Sequence, residues 1–173
     1  MREIKITRGM VVTVDDEDFE FLSQSKWNVY RRKDIVYAKR HTPTNEGGRT
    51  TEYLHRVVLA RAMGRMIAKS EQTDHINGNG LDNRRGNLRV ATAAQNNRNC
   101  RRRVKNPLSQ YLGITWRRDL EKWQARIGLS GKNVSLGCYA KEMEAALARE
   151  AFIAKHPELY ARSNFANIRG KIE

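Results

Sequence analysis

Cysteine is nearly missing from this chain: Cys100 and Cys138 are the only two. Two thiols make neither a disulfide scaffold nor a four-thiolate zinc site. No apolar run approaches the roughly 18 residues of a membrane-spanning helix, so no such segment is expected. Residues 1–14 lack an apolar signal region and a small-residue cleavage site, so no secretory signal is expected. Hydrophobic residues are lean at 39%, yet not as sparse as in a disordered chain. Carboxylates are outnumbered, 19 against 33 Lys and Arg, for a net charge of +14. What is left is an intracellular, soluble and strongly basic protein. Its 173 residues suffice for one ordinary domain or two small ones. Nucleic acid is the natural polyanion for it to meet.

The positive charge is uneven. Residues 98–106 hold Arg98, Arg101, Arg102, Arg103 and Lys105 with no carboxylate, and Pro107 follows. This stretch reads as a basic linker between two units that are themselves basic. Phosphate contact through counterion release is the functional reading. A solvated helix end, with arginines at its negative pole, is the alternative.

In the first half, the β-branched run at residues 11–14 predicts a strand, and the acidic run 15–18 ends it and offers a helix N-cap. Residues 27–30 and 35–38 flank a polar turn and predict a hairpin. Residues 42–51, rich in Gly, Asn, Pro and Thr, predict a loop. Leu54, Val57, Val58, Leu59, Ala62 and Met63 recur at helical spacing, and Gly64 is the expected stop. Two Asn-Gly pairs at 77–80 predict tight turning with positive φ. Residues 88–91 predict a short strand. Thr92 and Gln95 form a Thr-x-x-Gln capping box that starts a helix to about residue 101.

After Pro107 three short alternating segments, 111–117, 123–127 and 134–139, are separated by turns. A helix is expected over 141–155, with Met143, Ala146, Leu147, Glu150, Ala151 and Ala154 on its packed face and Pro157 beyond its end. The expectation is a three-stranded meander under one helix.

One constellation carries chemistry: Asp74 and His75 before the Asn-Gly turns, Asn87 after them, and Asn96 in the next helix. Phosphodiester hydrolysis needs an activated water, charge stabilisation at phosphorus and help for the leaving oxygen. An imidazole can supply the first, and a divalent metal on oxygen ligands the others. A carboxylate with an amide oxygen suits magnesium or manganese better than zinc. Adjacent strand residues face opposite ways, so Asp74 and His75 need local distortion to reach one phosphate. A lone Asp-His pair is most often structural, and Asp74 could simply cap the turn. A calcium loop is excluded, because Ile76 and Gly78 stand at two of its ligand positions.

Leu54-His-Arg-Val-Val58, Asp74-His-Ile-Asn-Gly-Asn-Gly-Leu-Asp-Asn83, Asn87-Leu-Arg-Val-Ala-Thr92 and Gln95-Asn-Asn-Arg-Asn99 closely resemble the HNH endonuclease family over residues 52–99. They are most similar to its phage and intron-encoded homing-type branch, in which the last His is Asn. The resemblance implies a ββα-metal fold that cuts or nicks DNA. It implies His75 as general base, Asp74 and Asn96 as ligands of the metal, and Asn87 as a brace across the loop that fixes the His75 backbone. His55 matches a family His-Arg pair, as a structural or a phosphate-contacting residue. Asn83 and Arg89 read as loop-fixing. Asn97 is the competing ligand position, and the family spacing favours Asn96.

In the second unit, strand parity puts Ile114, Trp116, Trp123, Ala125, Ile127, Val134 and Leu136 on one face. Thr115, Arg117, Gln124, Arg126, Asn133 and Ser135 fall on the other. A basic, polar sheet face can enter a major groove. Every half-buried antiparallel sheet also has a solvated outer face, and parity alone favours that reading. Tyr111-Leu-Gly-Ile-Thr-Trp-Arg117, Lys122-Trp-Gln-Ala-Arg-Ile127, Ser135-Leu-Gly-Cys-Tyr139 and Ser163-Asn-Phe165 resemble the plant Apetala and ethylene-response-factor DNA-binding domain over roughly 109–167. That resemblance implies groove reading by the sheet. Leu112, Thr115, Asn133 and Ser135 replace Arg or Trp positions of the plant domains, so the plant target sequence does not carry over.

The expected class is α+β: a ββα-metal core behind an N-terminal β-rich extension, then a three-stranded antiparallel sheet on one helix. The expected divisions are 1–51, 52–100, the linker 101–108, and 109–168. The expected activity is metal-dependent hydrolysis of double-stranded DNA, by a monomer or homodimer without an obligatory protein partner or a membrane, in the cytoplasm of a bacterial or phage-infected cell. The rival is a non-catalytic DNA-binding regulator derived from such a nuclease. It would be marked by loss of Asp74, His75 or Asn96, and all three are present. RNA binding would need exposed aromatic platforms, whereas Trp116 and Trp123 fall on the expected buried face.

Overall fold

The run Val11–Val14 forms a strand (β2) antiparallel to Arg2–Lys5 (β1), which buries Ile4, Val12 and Val14 on one side. The computed structural model describes residues 1–32, 34–99, 108–129 and 131–165. The acidic run then opens a helix, Asp16–Ser23 (α1), with Asp15 at its N-cap. The Asp15 side chain does not cap its own helix. It accepts the Arg85 backbone N–H at 2.7 Å instead.

The expected hairpin is present as Asn28–Arg32 (β3) and Ile35–Pro43 (β4). The expected loop at 42–51 is shorter. Arg49–Tyr53 (β5) pairs antiparallel with the far half of β4, which leaves a tight turn closed by Thr44. Thr50 and Thr51 suit a strand despite the Gly and Asn beside them, and pairing partners on β4 decide the matter. A helix, Leu54–Met63 (α2), follows and ends at Gly64, whose φ of 64° terminates it as expected. Gln72–His75 (β6) and Leu88–Ala91 (β7) make an antiparallel pair. The helix Ala93–Asn99 (α3) comes next, and its Thr92–Gln95 capping box is formed in both directions.

The chain divides into two compact units, residues 1–96 and 97–173, and no division falls near residue 51. Ile4, Val12, Val14, Leu22, Trp27 and Ala38 share one apolar core with Leu54, Val58, Leu59 and Leu88. Each fully buried valine or leucine among them contributes about 1.5–3 kcal/mol. The Trp27 indole N–H is satisfied by the Leu22 carbonyl at 2.9 Å. A polar clamp adds to the core. Asp18 is fully buried and takes Nε and Nη2 of Arg85 and Nε of Arg61 at 2.7–2.9 Å. Burial opposes its charge, but the two guanidiniums hold its carboxyl below the ordinary range.

In the second unit Ile114–Arg117 (β8), Lys122–Leu129 (β9) and Lys132–Tyr139 (β10) form the expected meander, with β9 in the centre. The helix Glu142–Lys155 (α4) packs on it. Its inner face differs from expectation. Ala145, Ala146 and Arg149 are buried, whereas Met143 and Leu147 are exposed. The inner stripe starts with Glu142, one residue before the expected one. Glu142 accepts from Ser109 Oγ and the Gln110 N–H, and Arg149 Nη1 donates to the Arg162 carbonyl. Polar anchors turn the helix, a signal that hydrophobic periodicity does not carry. Gly113, at φ 76°, lies against this stripe, and a Cβ there would sit 2.5 Å from the Arg126 carbonyl oxygen.

Trp116 and Trp123 are not buried as expected. They meet edge to face at 5.1 Å, half-buried, and line a cleft of about 470 Å³ with Leu108 and Arg118. The helix covers Ile114 and Ala125, and Trp123 packs only partly against that cluster. Burial therefore no longer counts against RNA. No helix among the described residues is long and apolar enough to cross a membrane.

Candidate active site

β6 and β7 are four residues each, so the twelve-residue connection between their ends, 76–87, must be stiffened by its own side chains. Asparagines do this. Asn87 Oδ1 accepts the Asn77 N–H at 3.0 Å, and Asn87 Nδ2 donates to Asn77 Oδ1 at 3.0 Å and to the Asp82 carbonyl at 2.7 Å. Asn77 Oδ1 and Asn79 Oδ1 each accept the N–H two residues on, as Asx turns do. Asn87 was expected to fix the His75 backbone. Its side chain fixes Asn77 instead, and its carbonyl takes the Ile76 N–H at 2.9 Å.

Of the two Asn-Gly glycines only Gly78 has positive φ, at 71°. Gly80 is needed for a different reason: a Cβ there would collide with the Val36 carbonyl oxygen and stand 2.8 Å from the Tyr37 ring. The loop is thus seated directly on β4. Gly80→Ala should cost roughly 1–3 kcal/mol, as overpacking against backbone does. Chemical denaturation tests this, and an unchanged midpoint would show that the loop can lift from β4 freely.

His75 ends β6 and is buried. Its Nε2 lies 3.3 Å from Asn83 Oδ1. An amide oxygen can only accept, so Nε2 carries the proton and Nδ1 the lone pair. Asn83 is itself held, its N–H donating to the Thr13 carbonyl at 2.8 Å and its Nδ2 to the Gly80 carbonyl at 3.4 Å. Burial pushes the His75 pKa below its ordinary value, against the pull of Asn83, Asp74 and Asp82. The imidazole is neutral at pH 7, as a general base must be.

The neighbouring ring is His55, second residue of α2, 5.2 Å from His75 in an edge-to-face contact. Burial, with His75 and Arg56 beside it, pushes its pKa to about 3. Its buried Nδ1 has no hydrogen-bond partner. It serves as a neutral wall for His75. Tyr37 closes the group, with its ring 5.4 Å from His55 and 5.8 Å from His75, and Tyr53 stacks on His55 at 5.5 Å.

These depressed values set a stability profile. The folded state resists protonation at His55 between about pH 6.5 and 3, while the unfolded chain accepts the proton. Stability from this group is therefore whole above pH 6.5 and falls by up to about 1.4 kcal/mol per pH unit below it. Urea unfolding at pH 7, 6 and 5 should show this loss, and His55→Phe should reduce it. A flat profile in the native protein would contradict the neutral histidine pair.

Asp74 pairs with Arg89 across the ladder, so its side chain leaves the opposite face from His75. The Asp74 carboxylate is buried, and Oδ2 accepts from both Nε and Nη2 of Arg89 at 2.8 Å. Gln72, two residues earlier, shares this face, and its Oε1 accepts from Asn96 Nδ2 at 2.6 Å. That contact brings α3 to the Asp74 side of β6. Asn97 shows no such contact. With Nδ2 engaged, Oδ1 is the Asn96 atom suited to a cation. No group of three or more His, Cys, Asp or Glu that could hold a metal exists among the described residues. The local donors are one carboxylate and amide oxygens. Such a set does not fit zinc, but it fits a magnesium- or manganese-type ion that keeps waters and substrate oxygens in its shell.

Residues 52–98 match the family model of the HNH endonucleases. No curated protein and no solved structure matches the chain. The HNH segment contains His55, Asp74, His75, Asn83, Asn87, Arg89 and Asn96. Tyr37 and Thr13, which brace the HNH loop, lie outside it.

The remaining candidates sit in or before the second unit. Arg101, Arg102, Arg103 and Lys105 lie outside the described residues. Arg98 donates to the Gly128 and Leu159 carbonyls, so this cation serves its own unit. The register puts Thr115, Gln124, Arg126, Asn133 and Ser135 on one sheet face, as parity predicted. Arg126 Nη2 donates to Thr115 Oγ1 at 2.6 Å and Gln124 Nε2 to Ser135 Oγ at 3.0 Å. Arg117 is held by Asp119 in a double contact at 2.6–2.8 Å.

Sequence reasoning missed three roles: Asn83 as the partner of the His75 ring, Arg89 as the partner of Asp74, and Tyr37. Arg89 was open to inference, since a buried carboxylate needs a cation and Arg89 is the basic residue on the neighbouring strand. Tyr37 carried no signal.

Proposed function

We propose that the chain is a metal-dependent endonuclease of homing type that hydrolyses phosphodiester bonds in double-stranded DNA. The observation that carries this reading is a buried, neutral His75 whose tautomer is set by Asn83, within a segment that matches the HNH endonucleases. His75 Nδ1 takes the proton of a water. That water attacks phosphorus in line, and the bond from phosphorus to the 3′ oxygen breaks. Asp74 and His75 leave β6 on opposite faces, so one phosphate meets both only across the strand's end, where His75 is the last residue. A magnesium or manganese ion, held through Asp74 and Asn96, would supply charge stabilisation at phosphorus and at the leaving oxygen. Asn83 holds the His75 ring, Asn87 holds the loop, and His55 and Tyr37 exclude water from the ring's flanks.

The second unit serves as the anchor. A three-stranded sheet on one helix, with Thr115, Gln124, Arg126, Asn133 and Ser135 on its outer face, supports the Apetala and ethylene-response-factor likeness and groove contact by that face. Arg117 contributes once it is released by Asp119. Arg101, Arg102, Arg103 and Lys105 track the phosphate backbone. A monomer with one site nicks, and a homodimer cuts both strands. The setting is the cytoplasm of a bacterial or phage-infected cell.

The test is conversion of supercoiled plasmid and host genomic DNA with magnesium or manganese, with and without chelator, for the native chain and Asp74→Asn. Metal-dependent nicking that the variant loses supports the reading. Tight DNA binding without cleavage under any metal replaces it with the regulator.

A further inference from the structure

The β3–β4–β5 sheet has two unlike faces. Paired residues of an antiparallel ladder point the same way. The ladder therefore places Val29, Ala38, Arg40 and Glu52 on one face and Tyr30, Arg32, Tyr37, Lys39 and Tyr53 on the other. The first face is structural: Val29 and Ala38 enter the core, and Arg40 pairs with Glu52 at 2.7 Å. The second includes no carboxylate among its strand residues. It carries Arg32 and Arg49 exposed and Lys39 half-buried, with the Lys39 ammonium 4.8 Å over the Tyr30 ring.

This second face runs without a break into the candidate active site. The Tyr30 ring meets Tyr53 at 5.7 Å, Tyr53 stacks on His55, and His55 meets His75. Tyr37, in the centre of the face, touches both histidines. A solvated outer face has no reason to run as an unbroken chain of rings that ends on a general base.

We infer that the Tyr30–Lys39–Tyr53 face of this sheet, of which only the Tyr53 end falls within the HNH segment, is a DNA-contact surface that seats the duplex backbone beside His75. The inference rests on the nuclease reading for its substrate. Lys39 and Arg32 stand about four strand residues apart, roughly 13 Å, so they engage different phosphates. The tyrosines offer hydroxyl groups to phosphate and sugar, as backbone-positioning contacts do. The surface fixes where the DNA lies and reads no sequence.

The experiment measures binding of the full chain to a labelled duplex across a salt series, for the native protein, Lys39→Gln, Arg32→Gln and the pair, with plasmid cleavage in parallel. Each lost phosphate contact should reduce the slope of log K against log salt by about 0.9, and the pair by about 1.8. The melting temperature should be unchanged, since neither side chain is in the core. Tyr30→Phe should weaken binding without altering the salt slope. A native slope in the double variant, in a protein that cleaves plasmid, overturns the inference and leaves the nuclease reading intact. A reduced slope in a chain that cleaves nothing keeps the surface and removes the nuclease. A reduction seen with single-stranded RNA and not with duplex DNA assigns the face to RNA and overturns the inference.

Discussion

Replacing His75 with alanine should lower the cleavage rate by roughly 10²–10⁴-fold, the usual worth of a positioned general base. Binding of uncut DNA should be preserved, because His75 is buried and packs against Asn83, His55 and Tyr37 within its own unit. Asn83→Ala separates positioning from chemistry. The imidazole stays in place but loses the acceptor that keeps the proton on Nε2. Part of the population then presents the protonated nitrogen to the water, and the rate falls less than in His75→Ala. The Asn83 contact also raises the His75 pKa. Its removal should therefore shift the acid limb of the rate profile to lower pH. Single-turnover rates from pH 5 to 8 would show both effects. Equal rates for Asn83→Ala and the native chain, with no shift of the limb, would remove Asn83 from the mechanism.

The largest loss of stability is expected from Arg85→Met. Asp18 is fully buried and depends on Arg85 for two of its three hydrogen bonds to guanidinium. Breaking a buried pair from one side typically costs about 3–5 kcal/mol, because the remaining charge stays buried. Arg61 still holds Asp18 and places the result toward the lower end. For a unit of this size that is a fall in melting temperature of roughly 12–25 °C. The double variant Asp18→Leu with Arg85→Met should recover much of the loss, since both charges leave together. Failure of the double variant to exceed the single one would mean that Arg85 acts through Glu17 rather than Asp18.

Much of the site was legible in the sequence because its chemistry is local. Asp74, His75, Asn87 and Asn96 fall within a short span, and turn and capping signals place them on a strand end, a loop and a helix. What bound them together was not legible. Thr13, Asp15 and Tyr37 reach the HNH loop from positions far upstream, and no short-range pattern encodes that approach. The turn of α4 was misread for a related reason. Its inner face is set by Glu142 and Arg149, polar residues that a hydrophobic stripe assigns to solvent. Gly80 was read as a turn glycine, while its backbone is ordinary and the constraint is the closeness of Val36 and Tyr37.

The clamp between Asp15, Asp18 and Arg85 joins residues about 70 positions apart. During synthesis at about 5–20 residues per second, the acidic run emerges roughly 4–14 s before its arginine can reach it. The half-finished chain presents β1, β2 and α1 with an open apolar side and a cluster of bare carboxylates. It has no seat for the Asn-Gly loop until that loop itself has been made. A growing chain on the ribosome therefore holds no assembled histidine pair, and nucleic acid close to its own translation meets this site only after most of the first unit has been released.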